Sequence, residues 1–130
     1  MKKVCIIILI ILSCSLSIGN VLYVSKGNVF EGFFTNPYEE CVFVMDDGNF
    51  YVFTTMDEGF ISGEVSMFYT ALEADGYTIY NVMIVMHNHF ANPFPSAPDK
   101  NTLTRMRMSG FDGKFGIYVT ATKQIHWVKE

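Results

Sequence analysis

The 130-residue chain has the length of one domain, and half of its residues are hydrophobic, which is enough for a packed core and argues against a disordered chain. Thirteen acidic residues outnumber nine basic ones, giving a formal net charge of −4 at pH 7. Because the phosphate backbone attracts basic surfaces, this balance argues against nucleic acid as a partner.

Residues 1–19 have the layout of a secretory signal peptide: two lysines, an apolar stretch, and a small, polar end at Ser17-Ile18-Gly19. A lipidated N-terminus at Cys14 and a retained anchor extending through residue 23 are alternatives that these residues leave open. We therefore predict export, to the periplasm, the cell exterior or a lipid anchor at the cell envelope, with membrane contact through the leader alone. The remainder is more acidic and keeps one cysteine, Cys41, so no internal disulfide is expected after cleavage.

From residue 20 onwards the sequence predicts strands and helices in alternation. Residues 20–25 indicate a first strand, and residues 28–34 are ambiguous because their apolar spacing suits a helical turn that Gly32 weakens. Residues 39–45 and 50–54 predict two strands joined by a tight hairpin at the Asp-Gly pair between them.

The second half of the chain predicts two helices around an apolar strand. The first helix is predicted over residues 63–75, with apolar side chains at helical spacing and Gly76 as its stop. A strand over 78–87, a helix over 99–108 and a hairpin of 115–121 with 124–128 follow. These elements predict an α/β fold with a single-domain mixed β-sheet sandwiched by helices.

The end of the apolar strand carries the residues with the clearest chemistry. Side chains two apart in a strand project to the same side, so His87 and His89 can direct both imidazoles at one point. Asp99, after a proline-containing loop, can return a carboxylate to that point. Two histidines, one carboxylate and an open position for water are typical of a catalytic zinc site.

Two structural explanations compete with this site. Ser96 and Asp99 also form the pattern of a capping box, and we expect the cap and ligand roles of Asp99 to exclude each other. His126 could supply a third imidazole, which would favour a cupin-like site, but the carboxylate that such a site needs after the first pair is not evident. Paired histidines at the end of a buried strand have little structural purpose, which favours the metal site.

The motif His87-Asn88-His89, followed by a short loop and Ser96-x-x-Asp99, resembles the metal-binding motif of the JAB1/MPN (JAMM) family, most closely its bacterial RadC-like branch. The Ala71-Leu72 pair and Thr102 also fit that branch. The resemblance covers residues 39–128 of a predicted domain spanning 20–130, and it implies a JAB1/MPN-like fold of cytidine-deaminase-like topology. Two departures concern the loop: Phe90 replaces the usual proline, and the loop is one residue short.

The resemblance also implies roles for the site residues. His87, His89 and Asp99 would bind Zn²⁺, and Glu40, at the head of the first long strand, would be the general base. Ser96 would donate a hydrogen bond to the oxyanion, and the reaction would be hydrolysis of a peptide or isopeptide bond in a peptide or protein substrate. Glu39 competes with Glu40, since only one of the two faces the metal side, and Glu40 is chosen because it directly precedes the apolar stretch.

A catalytically silent JAMM-like module that binds a protein partner is the alternative function. It would keep the motif as a scaffold, or would bind metal without turnover. The sequence leaves the oligomeric state and the substrate's identity open, and the predicted leader places that substrate outside the cytoplasm, where RadC-like proteins are not expected.

Overall fold

The computed structural model describes residues 23–27, 34, 36–54 and 65–130. The predicted leader, most of the ambiguous segment at 28–34, and the loop before the first helix lie outside the described residues. Within the described ranges, no helix has the length and apolar character that crossing a bilayer requires.

The described chain forms a mixed α/β fold, as predicted. Its elements in order are β1 (Tyr23–Gly27), β2 (Cys41–Met45), β3 (Phe50–Thr54), α1 (Val65–Ala74), a 3₁₀ turn (Ile79–Asn81), β4 (Val82–His89), α2 (Ala97–Met108), β5 (Lys114–Val119) and β6 (Gln124–Trp127). The strands form one sheet in the order β1-β3-β2-β4-β5-β6. Only the β4–β5 pair is parallel, and the other neighbouring strands are antiparallel.

Among the element boundaries that differ from the prediction, two have an identifiable local cause. The central strand begins at Val82 rather than at residue 78, because the Asn81 side chain accepts a hydrogen bond from the Thr78 N–H at 2.9 Å and holds the 3₁₀ turn. Helix α2 begins at Ala97, two residues early, because Ser96 is its N-cap and Pro98 fits its first turn.

The larger hydrophobic core lies between the sheet and both helices. Helix α1 contributes Phe68, Ala71 and Leu72, and α2 contributes Leu103 and Met106. The predicted sandwich, with helices on both faces, is therefore not what the described residues show.

The opposite face of the sheet carries a smaller cluster of Phe34, Val42 and Met86. Phe34 stacks on Tyr118 there, with ring centroids 4.9 Å apart. The difference from the prediction has a topological reason. The connections β3–α1–β4 and β4–α2–β5 both join parallel strands and both advance in the same direction across the sheet. Crossovers of the same, usually right-handed, sense then place both helices on the same face.

The fold places the predicted site at the C-terminal end of β4. There, His87 pairs with Cys41 of β2 on one side, and His89 pairs with Val119 of β5 on the other. Helix α2 starts a few residues later, so the end of a central strand and the N-terminus of a helix meet at one end of the sheet.

Candidate metal centre

The two histidines of β4 both direct their Nε2 atoms into one cluster. The Nδ1 of His87 lies 3.3 Å from the Glu40 carbonyl oxygen, and the Nδ1 of His89 lies 2.9 Å from that of Asn92. Because a carbonyl can only accept a hydrogen bond, the Nδ1 of each ring is placed to donate to it, and the Nε2 is the ring atom that faces the cluster. Backbone groups that orient a histidine in this way are a regular feature of metal sites.

Asp99 reaches both imidazoles from the first turn of α2. Its Oδ2 lies 2.9 Å from the His89 Nε2, and its Oδ1 lies 3.4 Å from the His87 Nε2. The ligand-capable atoms of the three residues all lie within 4.8 Å of one another, and their side chains are largely buried. This group could therefore hold a metal ion.

Asp99 is at the same time part of the helix cap. The Ser96 N–H donates to the Asp99 Oδ2 at 2.8 Å, and the Asp99 N–H donates to the Ser96 Oγ at 3.2 Å. Although cap and ligand roles were expected to exclude each other, the cap does not turn Asp99 away from the histidines, because a carboxylate has two oxygens that each accept more than one hydrogen bond. The cap holds the Asp99 carboxylate in place facing the histidines.

The cluster keeps the Asp99 carboxyl ionised. Burial on its own would raise its pKa, but the hydrogen bond with His89, the charge of His87 and the bonds from Ser96 outweigh that effect and lower the pKa to about 2. The same bond to Asp99 raises the pKa of His89, against the opposing effect of burial. An ionised carboxylate is the form that binds a metal.

Glu39, and not Glu40, faces the cluster. Since Cys41 pairs with His87, the residue two positions before Cys41 projects to the same face as the imidazoles. The Glu39 Oε1 contacts the His87 Nε2, whereas its buried Oε2 has no hydrogen-bond partner among the described residues. The placement of Glu40 at the metal side is thus corrected by one residue.

Glu40 occupies the other face of the sheet. Its Oε1 accepts a hydrogen bond from the Asn36 Nδ2 at 3.2 Å, and burial raises the pKa of its carboxyl. The sequence contains the alternation that separates the two glutamates, but assigning a face to each of them requires the pairing of β2 with β4.

The cluster opens into a cleft of about 810 Å³. Glu39, both histidines and Ser96 lie in its wall, and Phe90, with 80% of its surface exposed, forms part of its rim. The remaining lining residues are Phe34, Asn36, Pro37, Tyr38, Asn88 and Thr120. The cleft therefore connects the cluster with solvent.

His126 does not join the cluster. It lies on β6 opposite Ile117, which itself pairs with His87, so two strand spacings separate the two histidines. The alternative of a third imidazole at this site is therefore not supported by the described residues.

Comparisons of the chain with models of protein families, with curated proteins and with solved structures find no match. The fold and the site define the class as a mixed α/β domain with a His-His-Asp cluster that could bind a metal ion.

Proposed function

We propose that this protein is a zinc-dependent hydrolase that cleaves a peptide or isopeptide bond, with a JAMM-like site. The observation that carries the proposal is the convergence of His87, His89 and Asp99, with both Nε2 atoms and both Asp99 oxygens directed into one cluster beside a cleft. Two imidazoles and one carboxylate are a donor set that zinc uses in catalytic sites.

An unpartnered carboxylate oxygen supports a bound cation or water at this place. The Glu39 Oε2 is buried without a hydrogen bond from any described residue, which is costly for a carboxylate. Two carboxylates, those of Glu39 and Asp99, also face the imidazoles in the cluster, and a divalent ion bound there would balance their negative charge.

The residues divide into ligands and catalytic groups. His87, His89 and Asp99 would hold the zinc, which when bound supplies Lewis acidity and lowers the pKa of water towards neutrality. Glu39 would accept a proton at its Oε2 from the water that attacks the carbonyl carbon, and would deliver that proton to the amine as the C–N bond breaks. The Ser96 hydroxyl accepts a hydrogen bond from the Asp99 N–H and still has its own hydrogen to donate to an oxyanion in the cleft.

The experiment is metal analysis of the purified protein, followed by hydrolysis assays with labelled casein and a mixture of fluorogenic peptides. We expect about one zinc per chain in the wild type and loss of that zinc in His87→Ala and Asp99→Ala. His126→Ala is the matched control, since it removes an imidazole outside the cluster and should keep the metal.

The two glutamates then test the choice of base. Glu39→Gln should keep the zinc and lower turnover by about 10²–10⁴-fold, the range for loss of a general base. Glu40→Gln should retain far more turnover than Glu39→Gln. A wild type without stoichiometric metal would overturn the proposal, and bound zinc without hydrolysis of any probe would favour the silent module that binds a protein partner.

A further inference from the structure

The side chain of Asn88 lies between the two histidines in sequence but on the opposite face of β4. It is buried, and its Oδ1 accepts a hydrogen bond from the Glu40 N–H at 2.6 Å. Its Nδ2 donates to the Tyr38 carbonyl at 3.3 Å, and its backbone N–H donates to the Glu40 carbonyl at 3.4 Å. Asn88 therefore holds the chain on both sides of Glu39.

These bonds lie where the regular pairing of β2 with β4 stops. The last paired residue on this side is Cys41, opposite His87, so residues 38–40 precede the strand itself. In this segment the side-chain amide of Asn88 adds two hydrogen bonds to the single backbone bond between Asn88 and Glu40. With the backbone of Tyr38 and Glu40 anchored on one face, the side chain of Glu39 is directed to the other face, where it contacts the His87 Nε2.

The bonding pattern calls for a primary amide at this position. One partner is an N–H donor and the other a carbonyl acceptor, and each is satisfied by one end of the Asn88 side chain. A carboxylate could serve only the Glu40 N–H, and an alanine neither. A residue that only packed against the smaller hydrophobic cluster on this face would need neither the hydrogen-bond donor nor the acceptor.

We propose that Asn88 is a positioning residue that sets the direction of the Glu39 carboxylate from the far side of the sheet. Both ends of its amide are bonded to the backbone of Tyr38 and Glu40, and it acts on Glu39 through the backbone of residues 38–40. The catalytic part of this inference rests on the proposed function, in which Glu39 is the general base. The positioning of Glu39 can be tested separately in metal-free protein.

The first test is NMR of the imidazole rings in protein stripped of metal by a chelator. The chain has three histidines, so His87→Ala, His89→Ala and His126→Ala variants assign every ring. The Glu39→Gln variant is the reference: its spectrum shows where the His87 ring signals lie when the Glu39 carboxylate is absent. We expect Asn88→Ala to move the His87 signals towards those of Glu39→Gln, and signals that remain at their wild-type positions would overturn the proposal.

Asn81→Ala is the matched control. Asn81 precedes the same strand and its side chain also bonds a backbone N–H, that of Thr78, as well as the Asp46 carboxylate. Its loss should lower stability to a similar degree and leave the His87 signals unchanged. If Asn88→Ala does not fold, Asn88→Asp keeps the acceptor for the Glu40 N–H and loses the donor to Tyr38. Unchanged His87 signals in a folded Asn88→Asp protein would overturn the proposal equally.

The second test uses the zinc-loaded protein and the fluorogenic peptide mixture. Asn88→Ala should bind zinc within about threefold of the wild-type affinity, because the ligands are held by β4 and α2. Its kcat should fall by about 10–100-fold with little change in KM, the scale expected for a misplaced catalytic group. Adding Asn88→Ala to Glu39→Gln should lower kcat almost no further, because both changes remove the contribution of a correctly placed Glu39 carboxylate.

The outcomes separate the two proposals. A wild type that hydrolyses none of the probes would count against the proposed function, while the His87 signals would still decide the positioning role. If Asn88→Ala lowers kcat by the same factor in the wild type and in Glu39→Gln, Asn88 acts through general stability and the proposal is overturned.

Discussion

Cys41 is the residue of β2 that lies next to His87 in the sheet. Cys41 is buried and pairs with His87 across β2 and β4. Burial raises the pKa of this thiol, and the negative charges of Asp99 and Glu39 raise it further. Since the thiolate is the form that binds metal or attacks an electrophile, Cys41 acts as a small apolar core residue at this site.

We expect Cys41 to resist alkylation by iodoacetamide at pH 8 in the folded protein and to react in guanidinium chloride. Peptide mapping by mass spectrometry checks this, because the chain also contains Cys5 and Cys14. Cys41→Ala should keep the wild-type zinc content. Rapid labelling of Cys41 in the native state, or loss of zinc in Cys41→Ala, would contradict this assignment.

Phe90 offers an exposed aromatic ring at the rim of the cleft. If substrate chains pack on this ring before and during the reaction, Phe90→Ala should raise KM by about three- to tenfold and leave kcat nearly unchanged, the pattern of lost uniform binding. Steady-state kinetics with the fluorogenic peptides measures both constants.

Phe94 is the matched control for this prediction. Its side chain is 70% exposed but does not line the cleft, so Phe94→Ala should have wild-type KM. If both substitutions raise KM equally, the effect comes from the loss of an exposed apolar side chain in general and not from the cleft.

At the scale of elements, Asp75 ties the end of α1 to two strands. Its Oδ2 accepts a hydrogen bond from the Tyr51 hydroxyl of β3 at 2.5 Å and pairs with the Lys26 Nζ of β1 at 2.6 Å. The bonds from Lys26 and Tyr51 lower the pKa of the Asp75 carboxyl. A lowered pKa in the folded state means that the ionised group stabilises the fold above its unfolded pKa, which is about 3.9.

We expect Asp75→Asn to lower the free energy of unfolding at pH 7 by about 1 kcal/mol, a modest value because the Asp75 side chain is 36% exposed. The difference from wild type should shrink as the pH falls below the unfolded pKa and through the folded pKa, where the wild-type carboxyl becomes protonated. Urea unfolding at a series of pH values measures it.

Asp112→Asn removes an exposed acid before β5 and controls for the loss of one negative charge. It should leave the free energy of unfolding nearly unchanged. A difference between Asp75→Asn and wild type that is the same at every pH would contradict the electrostatic explanation.

The helix cap of α2 links local structure to the site. Ser96 and Asp99 satisfy each other's backbone N–H groups, and the same Asp99 carboxylate faces both histidines. One short motif thus begins the helix and places the third candidate ligand. This sharing explains why a capping pattern and a ligand pattern coincide in the sequence.

At the scale of the whole molecule, the candidate ligands come from two separate elements, β4 and α2. An ion held between them would bind the folded state and not the unfolded chain, so it should stabilise the fold by mass action. At free zinc a hundredfold above the Kd, we expect about 2.7 kcal/mol of stabilisation and a Tm higher by several degrees.

Thermal unfolding with zinc and with a chelator tests this expectation. His87→Ala should lose the rise in Tm, and magnesium should not replace zinc, because magnesium prefers oxygen ligands. An equal rise in His87→Ala and Asp99→Ala would place zinc binding elsewhere on the chain.

Much of the fold could be predicted because its signals are local. The apolar run of β2, the Asp-Gly turn and the helical spacing in α1 each act over a few residues, and the structure confirms these elements. The predicted start of β4 is too early, because the residues of the preceding 3₁₀ turn are apolar and resemble a strand. There a hydrogen bond between Asn81 and Thr78 prevails over strand propensity.

The residue types of the candidate site and their local arrangement follow from the sequence, since His87 and His89 share a strand face and Asp99 follows Ser96 in a helix cap. That Glu39 and not Glu40 joins them depends on strand pairing, because the register that pairs Cys41 with His87 joins residues far apart in the chain. The covering of one sheet face by both helices was decided in the same way, by the pairing order of strands that no local pattern encodes.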